Sequence, residues 1–257
     1  MPATIAAIAA KLGNAARRFD IDLLPSCDST NAVLLARAEA GAPSGTVVIA
    51  EEQTAGRGRR GRSWFSSPGD SLTFSLLWRF AAGTAPAGLS LAAGVAVARA
   101  LQKVGAGDTA LKWPNDILKE GRKLGGILVE LVPGAPHAAV IGIGINLQLP
   151  PGMPDEVRAA SAAIGAIDAA DSDALYAAML GELLATLESF GSGGFAALRA
   201  EWLARHAFQD VPVSIASDFG PPVLGICRGV DGDGALLLDV DGRRERILSG
   251  EVSLRRA

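Results

Sequence analysis

Cysteine, histidine and aromatic side chains are all scarce in this chain. Its 257 residues include two cysteines, two histidines and only 5% aromatics. Cys27 and Cys227 are far apart, and neither has a cysteine or histidine spaced as a metal partner. This excludes a disulfide framework or a zinc site, and both read as buried thiols in a reducing compartment. His137 and His206 likewise stand alone in the sequence and are assigned structural roles. A nucleophile elbow, a phosphate-binding GxxxxGK[ST] loop and a Cys/His pairing are all missing, so covalent catalysis through the protein is not expected. Long apolar runs are missing too. One long uncharged stretch, Phe80 to Ala98, is broken by Pro86 and three glycines, which argues against a membrane span there. The N-terminus lacks the basic start of a signal peptide. Net charge is −3 and the pI is near 5.5, so there is no overall basic surface for nucleic acid. A soluble, cytoplasmic protein is the expectation.

Positive charge is instead concentrated in one place. Gly56-Arg57-Gly58-Arg59-Arg60-Gly61-Arg62-Ser63-Trp64 sets four arginines among three glycines and closes on an indole. Like charges on flexible backbone disfavour the empty folded state, and an arriving anion relieves the repulsion. Glycine permits close backbone approach, and guanidinium forks grip carboxylate or phosphate at two points. A disordered RNA-binding tail is the plainer use of such a tract. Here strand-like runs flank it, Thr46 to Ala50 before and Ser71 to Trp78 after, so the loop is held in place and a small-molecule anion site is favoured. Its charge and glycine content predict disorder until the anion arrives.

The rest of the pattern alternates strands and helices. Ile5, Ile8 and Leu12 mark a first amphipathic helix, and Ile21 to Leu24 a short strand. Asp28-Ser29-Thr30-Asn31 offers capping oxygens for a helix over Ala32 to Ala40. A helix is expected from Leu89 to Val104, then strands over Thr109–Lys112, Gly126–Val132 and Ala138–Leu147. Further helices are expected over Ser172–Phe190 and Gly194–Ala207. This order predicts an α+β fold, a mixed β-sheet covered by helices on one side. From Val211 the texture changes to short alternating strands and Gly-Asp turns, indicating a small β-barrel docked on the larger unit. The expected division is 1–208 and 209–257.

Three other segments carry chemistry. Lys112-Trp113-Pro114-Asn115-Asp116 closes a strand in a turn. The lysine suits phosphate, and the carboxylate could hold Mg²⁺ or anchor an arginine of the loop. Taken alone, a structural turn with a surface Lys–Asp pair is the simpler account. Arg122-Lys123-Leu124-Gly125-Gly126 brings two cations and paired glycines into a strand, although a simple turn would explain it equally. Gly142-Ile143-Gly144-Ile145-Asn146 interrupts a strand with glycines, which weakens it unless something must approach closely. No helix with a third glycine follows, so it is not a dinucleotide fingerprint.

In their order and conjunction, Ser29-Thr30-Asn31, the run from Glu52 to Trp64, the KWPND turn, Arg122 to Glu130 and Gly142 to Asn146 resemble the biotin protein ligases. The resemblance extends from about Asp22 to Ser249-Gly250-Glu251-Val252-Ser253-Leu254-Arg255. It implies a class II synthetase-like catalytic domain followed by an SH3-like domain. It further implies an ATP-dependent, AMP-forming ligase that makes biotinyl-5′-AMP and passes biotin to a lysine of a biotin carboxyl carrier domain. By the same resemblance Ser29, Thr30, Asn31, Gln53, Gly56, Gly58 and Gly126 contact biotin, with Arg57, Arg59 and Lys123. Lys123 and Arg57 are the implied catalytic pair. Arg57, Arg59, Arg60, Trp64, Lys112, Asn115, Asp116, Asn146 and Arg255 serve ATP, and Asp116 and Asn146 its Mg²⁺. Only about twenty residues precede the first matched strand, so no DNA-binding domain and no DNA partner are expected. The family implies a monomer or homodimer. Some relatives place a tryptophan against the adenine after the position of Asn146, but Pro150 to Asp155 has none, leaving Trp64 or aliphatic residues for that contact. Lipoate or octanoate ligases and transferases share this fold and remain the alternative. A nucleic-acid-binding module and a non-catalytic biotin sensor are alternatives from other classes.

Overall fold

The computed structural model describes residues 3–165, 169–217, 220–248 and 252–256. The first sheet contains β1 (Asp20–Leu24), β2 (Thr46–Ala50), β3 (Ser71–Arg79), β4 (Thr109–Lys112), β5 (Asp116–Lys119), β6 (Arg122–Val132) and β7 (Ala135–Asn146). Their spatial order is β1-β2-β3-β7-β6-β5-β4. β1 and β2 are parallel, as the helix α2 (Thr30–Glu39) between them requires, and the other neighbours are antiparallel. The sheet is therefore mixed, as expected.

Side-chain alternation assigns its two faces. Leu72, Phe74, Leu76 and Trp78 of β3 share one core with Val47 and Ile49 of β2 and Ile141, Ile143 and Ile145 of β7. That face is covered by α3 (Leu89–Lys103) and α5 (Ala169–Gly193), with Ile8 of α1 (Ile5–Leu12) joining them. On the opposite face Val48, Leu77, Ala138 and Val140 pack under Leu34 and Ala38 of α2. The period of two places apolar residues on both faces of the central strands, so helices cover both faces of the sheet and not the single side expected.

The second sheet is antiparallel, in the order β11 (Arg243–Ile247), β10 (Leu236–Val240), β9 (Gly220–Val230), β8 (Pro212–Ser217), β12 (Val252–Arg256). Val213, Ile215, Cys227, Val230, Leu236, Leu238 and Leu254 bury into the same core that lies behind the first sheet. The fully buried Trp113 donates from Nε1 to the Gly234 carbonyl at 3.0 Å, joining the KWPND turn to the β9–β10 connection.

Several expectations change. β6 begins at Arg122 rather than Gly126, because β5 pairs with it from Arg122 onward. β5 was not expected, since four residues between two turns carry no readable period. Gly194–Ala207 is not one helix but a 3₁₀ turn over Phe195–Ala197 followed by α6 (Arg199–Ala204). A short helix α4 (Asp155–Ala159) lies in the segment after β7. Cys227 is buried but Cys27 is partly exposed. His206 is not alone: its ring stacks on Trp202 and approaches the Leu111 carbonyl at 3.2 Å and Cys227 Sγ at 3.3 Å. Ser249, Gly250 and Glu251 of the expected motif lie outside the described residues.

Candidate functional site

A cavity of about 660 Å³ opens on the α2 face of the first sheet. Its floor is a patch where the central strands carry almost no side chain. Strand register places Gly142 between Ser75 and Leu128, and Gly144 between Thr73 and Gly126. The glycines of β7 make room for specific neighbours. A Cβ on Gly142 would lie 2.2 Å from Asn31 Oδ1, and one on Gly144 would lie 2.5 Å from the Trp64 indole. Something does come close, as the glycine-broken strand implied.

One end of the cavity is a buried polar chain. The expectation that Ser29 and its neighbours cap α2 through their side chains is not met, since the N-cap Ser29 makes no such bond. Instead the Thr30 backbone N–H donates to Gln53 Oε1 at 2.7 Å. The Thr30 hydroxyl lies 3.0 Å from that same oxygen and 2.7 Å from Ser75 Oγ. Ser75 Oγ in turn lies 2.6 Å from Asn31 Oδ1, and Asn31 Nδ2 donates to Glu130 Oε2 at 2.7 Å. Thr30, Asn31 and Ser75 are all buried. Three oxygen–oxygen contacts here are served by two hydroxyl protons, so one contact holds no proton and the chain is short of a donor.

The other end is cationic. Asp116, buried at the start of β5, receives Lys123 Nζ on Oδ1 at 2.7 Å and Lys112 Nζ on Oδ2 at 3.0 Å. Burial alone would raise its pKa, but the Lys123 and Lys112 charges and hydrogen bonds more than offset that and hold it at about 2. Asp116 therefore fixes two lysines. Among the described residues its two oxygens meet ammonium groups, one each, and no arginine is paired with it. Arg57 turns instead to Glu130, at 3.5 Å. Among the described residues no group of three or more His, Cys, Asp or Glu side chains is placed to hold a metal.

The arginine loop forms a closed turn over this cavity. Gly58 N–H donates to the Arg62 carbonyl at 2.7 Å and Trp64 N–H to the Gly56 carbonyl at 2.8 Å. A Cβ on Gly56 would meet the Trp64 carbonyl at 2.5 Å, and Arg60 has φ +58°, so the turn draws on backbone conformations that favour small residues. Lys123 is clamped through its backbone: its N–H donates to the Ala160 carbonyl at 2.9 Å, and its carbonyl accepts from Ala162 N–H at 2.8 Å.

Ser29, Thr30, Asn31, Gln53, Arg57, Gly58, Arg59, Trp64, Asn115, Lys123, Gly126, Asn146 and Arg255 all line the cavity. Gly56, Arg60, Lys112 and Asp116 do not line it and act from behind or beside it. Asn115 chiefly pins β6, donating from Nδ2 to the Ile127 carbonyl at 2.7 Å. Asn146 Nδ2 is taken by the Ala162 carbonyl at 3.0 Å, while its buried Oδ1 has no partner among the described residues. Arg255 reaches the cavity from β12, so both sheets contribute. Sequence reasoning missed Ser75 and Glu130, which belong to the polar chain behind the cavity wall, and the lining residues of the α4 segment (Met153, Glu156, Val157, Ala160, Ser161). A polar Ser75 in an apolar strand was a readable signal; the α4 residues had none. Five cations and one carboxylate line the cavity among the described residues, which selects anionic ligands.

Residues 23–146 match the biotin/lipoate A/B protein ligase family, and residues 212–255 match the biotin protein ligase C-terminal domain. The chain is 41% identical to the bifunctional ligase/repressor BirA of Escherichia coli over 92% of its own length and 74% of the relative's. It is 37% identical to a biotin–[acetyl-CoA-carboxylase] ligase of Mycobacterium tuberculosis, over 90% of this chain and 88% of that one. Among solved structures, the biotin protein ligase from Aquifex aeolicus in complex with biotin and ATP superposes with a TM-score of 0.78 at 27% identity. That match covers 93% of this chain and 99% of the other.

Proposed function

The chain belongs to the biotin protein ligase family, and we propose that it joins biotin to ATP and then transfers the biotinyl group to a lysine of a carboxylase carrier domain. The observation that carries this reading is the polarity of one cavity. A donor-poor chain of Thr30, Ser75, Asn31 and Gln53 occupies one end, and Lys123 with the arginine loop the other. The cyclic urea of biotin carries N–H groups for the first, and its carboxylate suits the second.

In the first step a biotin carboxylate oxygen bonds to the α-phosphorus of ATP. The bond from that phosphorus to its bridging oxygen breaks, and the electron pair leaves with pyrophosphate. Two anions must meet, so Lys123, Arg57 and Arg59 serve by neutralising charge and fixing geometry. In the second step the amine of the acceptor lysine attacks the acyl carbon, AMP leaves, and the amine gives up a proton. Asn146 Oδ1 is available to accept from the nucleotide, and Arg255 is assigned to its phosphates. Mg²⁺ is assigned to enter with ATP as the metal complex of the substrate, since among the described residues no carboxylate cluster is placed to hold it. On this assignment residues 1–208 bind both substrates and residues 209–257 close the nucleotide side. No helix among the described residues is long and apolar enough to cross a membrane, and we assign the reaction to the cytoplasm.

The test mixes protein, Mg-ATP, an apo carrier domain and either biotin or lipoate, and reads the acceptor's mass. A biotin-sized gain that disappears in Lys123→Ala supports the proposal. A gain with lipoate alone would keep the fold and replace the substrate.

A further inference from the structure

Glu130 lies outside every role assigned so far, yet it touches both ends of the site. It sits on β6, two residues beyond Leu128 and on the same face of the sheet. Oε2 accepts from Asn31 Nδ2 at 2.7 Å, and Oε1 faces the Arg57 guanidinium at 3.5 Å. One carboxylate thus joins the buried polar chain to the arginine loop.

The bond to Asn31 decides the direction of that chain. A primary amide presents an acceptor on one side and donors on the other. With Nδ2 drawn to Glu130, and to the Leu128 carbonyl at 3.3 Å, Oδ1 must face Ser75. Ser75 then gives its single proton to Asn31, Thr30 gives its own to Ser75, and the contact left without a proton is that between Thr30 and Gln53. Without the carboxylate, only the longer bond to Leu128 holds the amide. A flipped Asn31 would offer N–H to Ser75 and reverse every donor in the chain.

We propose that Glu130 is a positioning residue that sets the hydrogen-bond polarity of the biotin ring site through Asn31 and couples that site to the arginine loop through Arg57. This deepens, and rests on, the biotin ligase reading. A ligand seated against Thr30 and Gln53 stabilises the Asn31 orientation that holds Glu130, and Glu130 in turn holds the loop closed over the ligand.

Two variants of the full chain separate the two halves. In Glu130→Gln a side-chain oxygen can still accept from Asn31, but the charge that attracts Arg57 is gone. In Glu130→Ala both contacts are lost. Biotin affinity is measured by calorimetry, and the arginine loop is followed by its rate of tryptic cleavage with and without biotin. Biotin should slow cleavage of the wild type. Glu130→Gln should bind biotin within about threefold of wild type while biotin no longer protects the loop. Glu130→Ala should lose both, with affinity down by about tenfold or more, the scale of a hydrogen bond to a charged group. Wild-type protection in Glu130→Gln, or unchanged affinity in Glu130→Ala, would overturn the assignment. Should Glu130→Ala fail to fold, the near-isosteric Glu130→Gln still decides the coupling. A wild type that binds no biotin would overturn the reading beneath the inference, not the role of Glu130 alone.

Discussion

The indole of Trp64 occupies the space that a side chain on Gly144 would fill, with the nearest ring carbon 2.5 Å from the position of its Cβ. The last residue of the arginine loop is therefore seated on backbone in the middle of the central sheet.

Gly144→Ala should push Trp64 out of place and with it the loop closed by the Trp64–Gly56 hydrogen bond. Overpacking of this kind costs about 1–3 kcal/mol of stability. Activity should suffer more, by about 100-fold, because a displacement near 1 Å suffices for such a loss. Gly152→Ala is the control, since nothing lies within 4 Å of the added carbon. Pyrophosphate release and thermal melts on both variants check the pair.

Lys123 and its carboxylate partner should separate in kinetics. Lys123→Ala removes a preorganised cation from the cavity and should lower the adenylation rate by about 100- to 1,000-fold. Asp116→Asn leaves both lysines in place but unanchored and less tightly held, and should cost about tenfold. Single-turnover adenylate formation measures each, and equal losses would show that Lys123 acts only through its pairing with Asp116.

Stability should fall in two acid windows. Burial pushes the His206 ring down to about 4, against a hydrogen bond with the Leu111 carbonyl that favours the charged form. A depressed pKa means the unfolded chain takes the proton first. The contribution of His206 is thus complete above its ordinary value near 6.5 and is lost as pH falls towards 4. The contribution of Asp116 is complete above 3.8 and is lost as pH falls towards about 2. Urea melts across pH should show both slopes, and His206→Gln should remove the upper one alone.

Trp113→Phe keeps an aromatic but smaller ring and deletes the donor to Gly234, leaving a buried carbonyl without that partner. The expected cost is about 1–3 kcal/mol. The KM for ATP should rise while biotin affinity stays unchanged, because Arg255 reaches the cavity from the second sheet. A rise in both would mean that the two sheets do not divide the substrates in this way.

Much of this architecture was readable from pattern. Long periodic segments such as β3 and α3 lie where alternation and helical spacing put them. The glycines of β7 and the loop arginines announced close contacts before their partners were visible. Elements that failed to show were short ones whose existence depends on neighbours: β5 is a strand because β4 and β6 flank it, and α4 because its segment is stitched to Lys123. The capping reading of Ser29 to Asn31 failed for a related reason. Polar residues at a helix start satisfy local caps by default, and only the fold reveals that Thr30 and Asn31 point into a cavity. Glu130 had no local signal, since its partners lie far along the chain.

The glycine floor of the cavity has an evolutionary consequence. Glycine is the smallest residue, so every substitution at Gly126, Gly142 or Gly144 subtracts space and none can add it. Change in ligand size at the floor can run in one direction only, towards the smaller. A descendant that accepts a bulkier acid must find its extra room in the roof, among the arginine loop, the α4 segment and β12, where side chains can still be shortened.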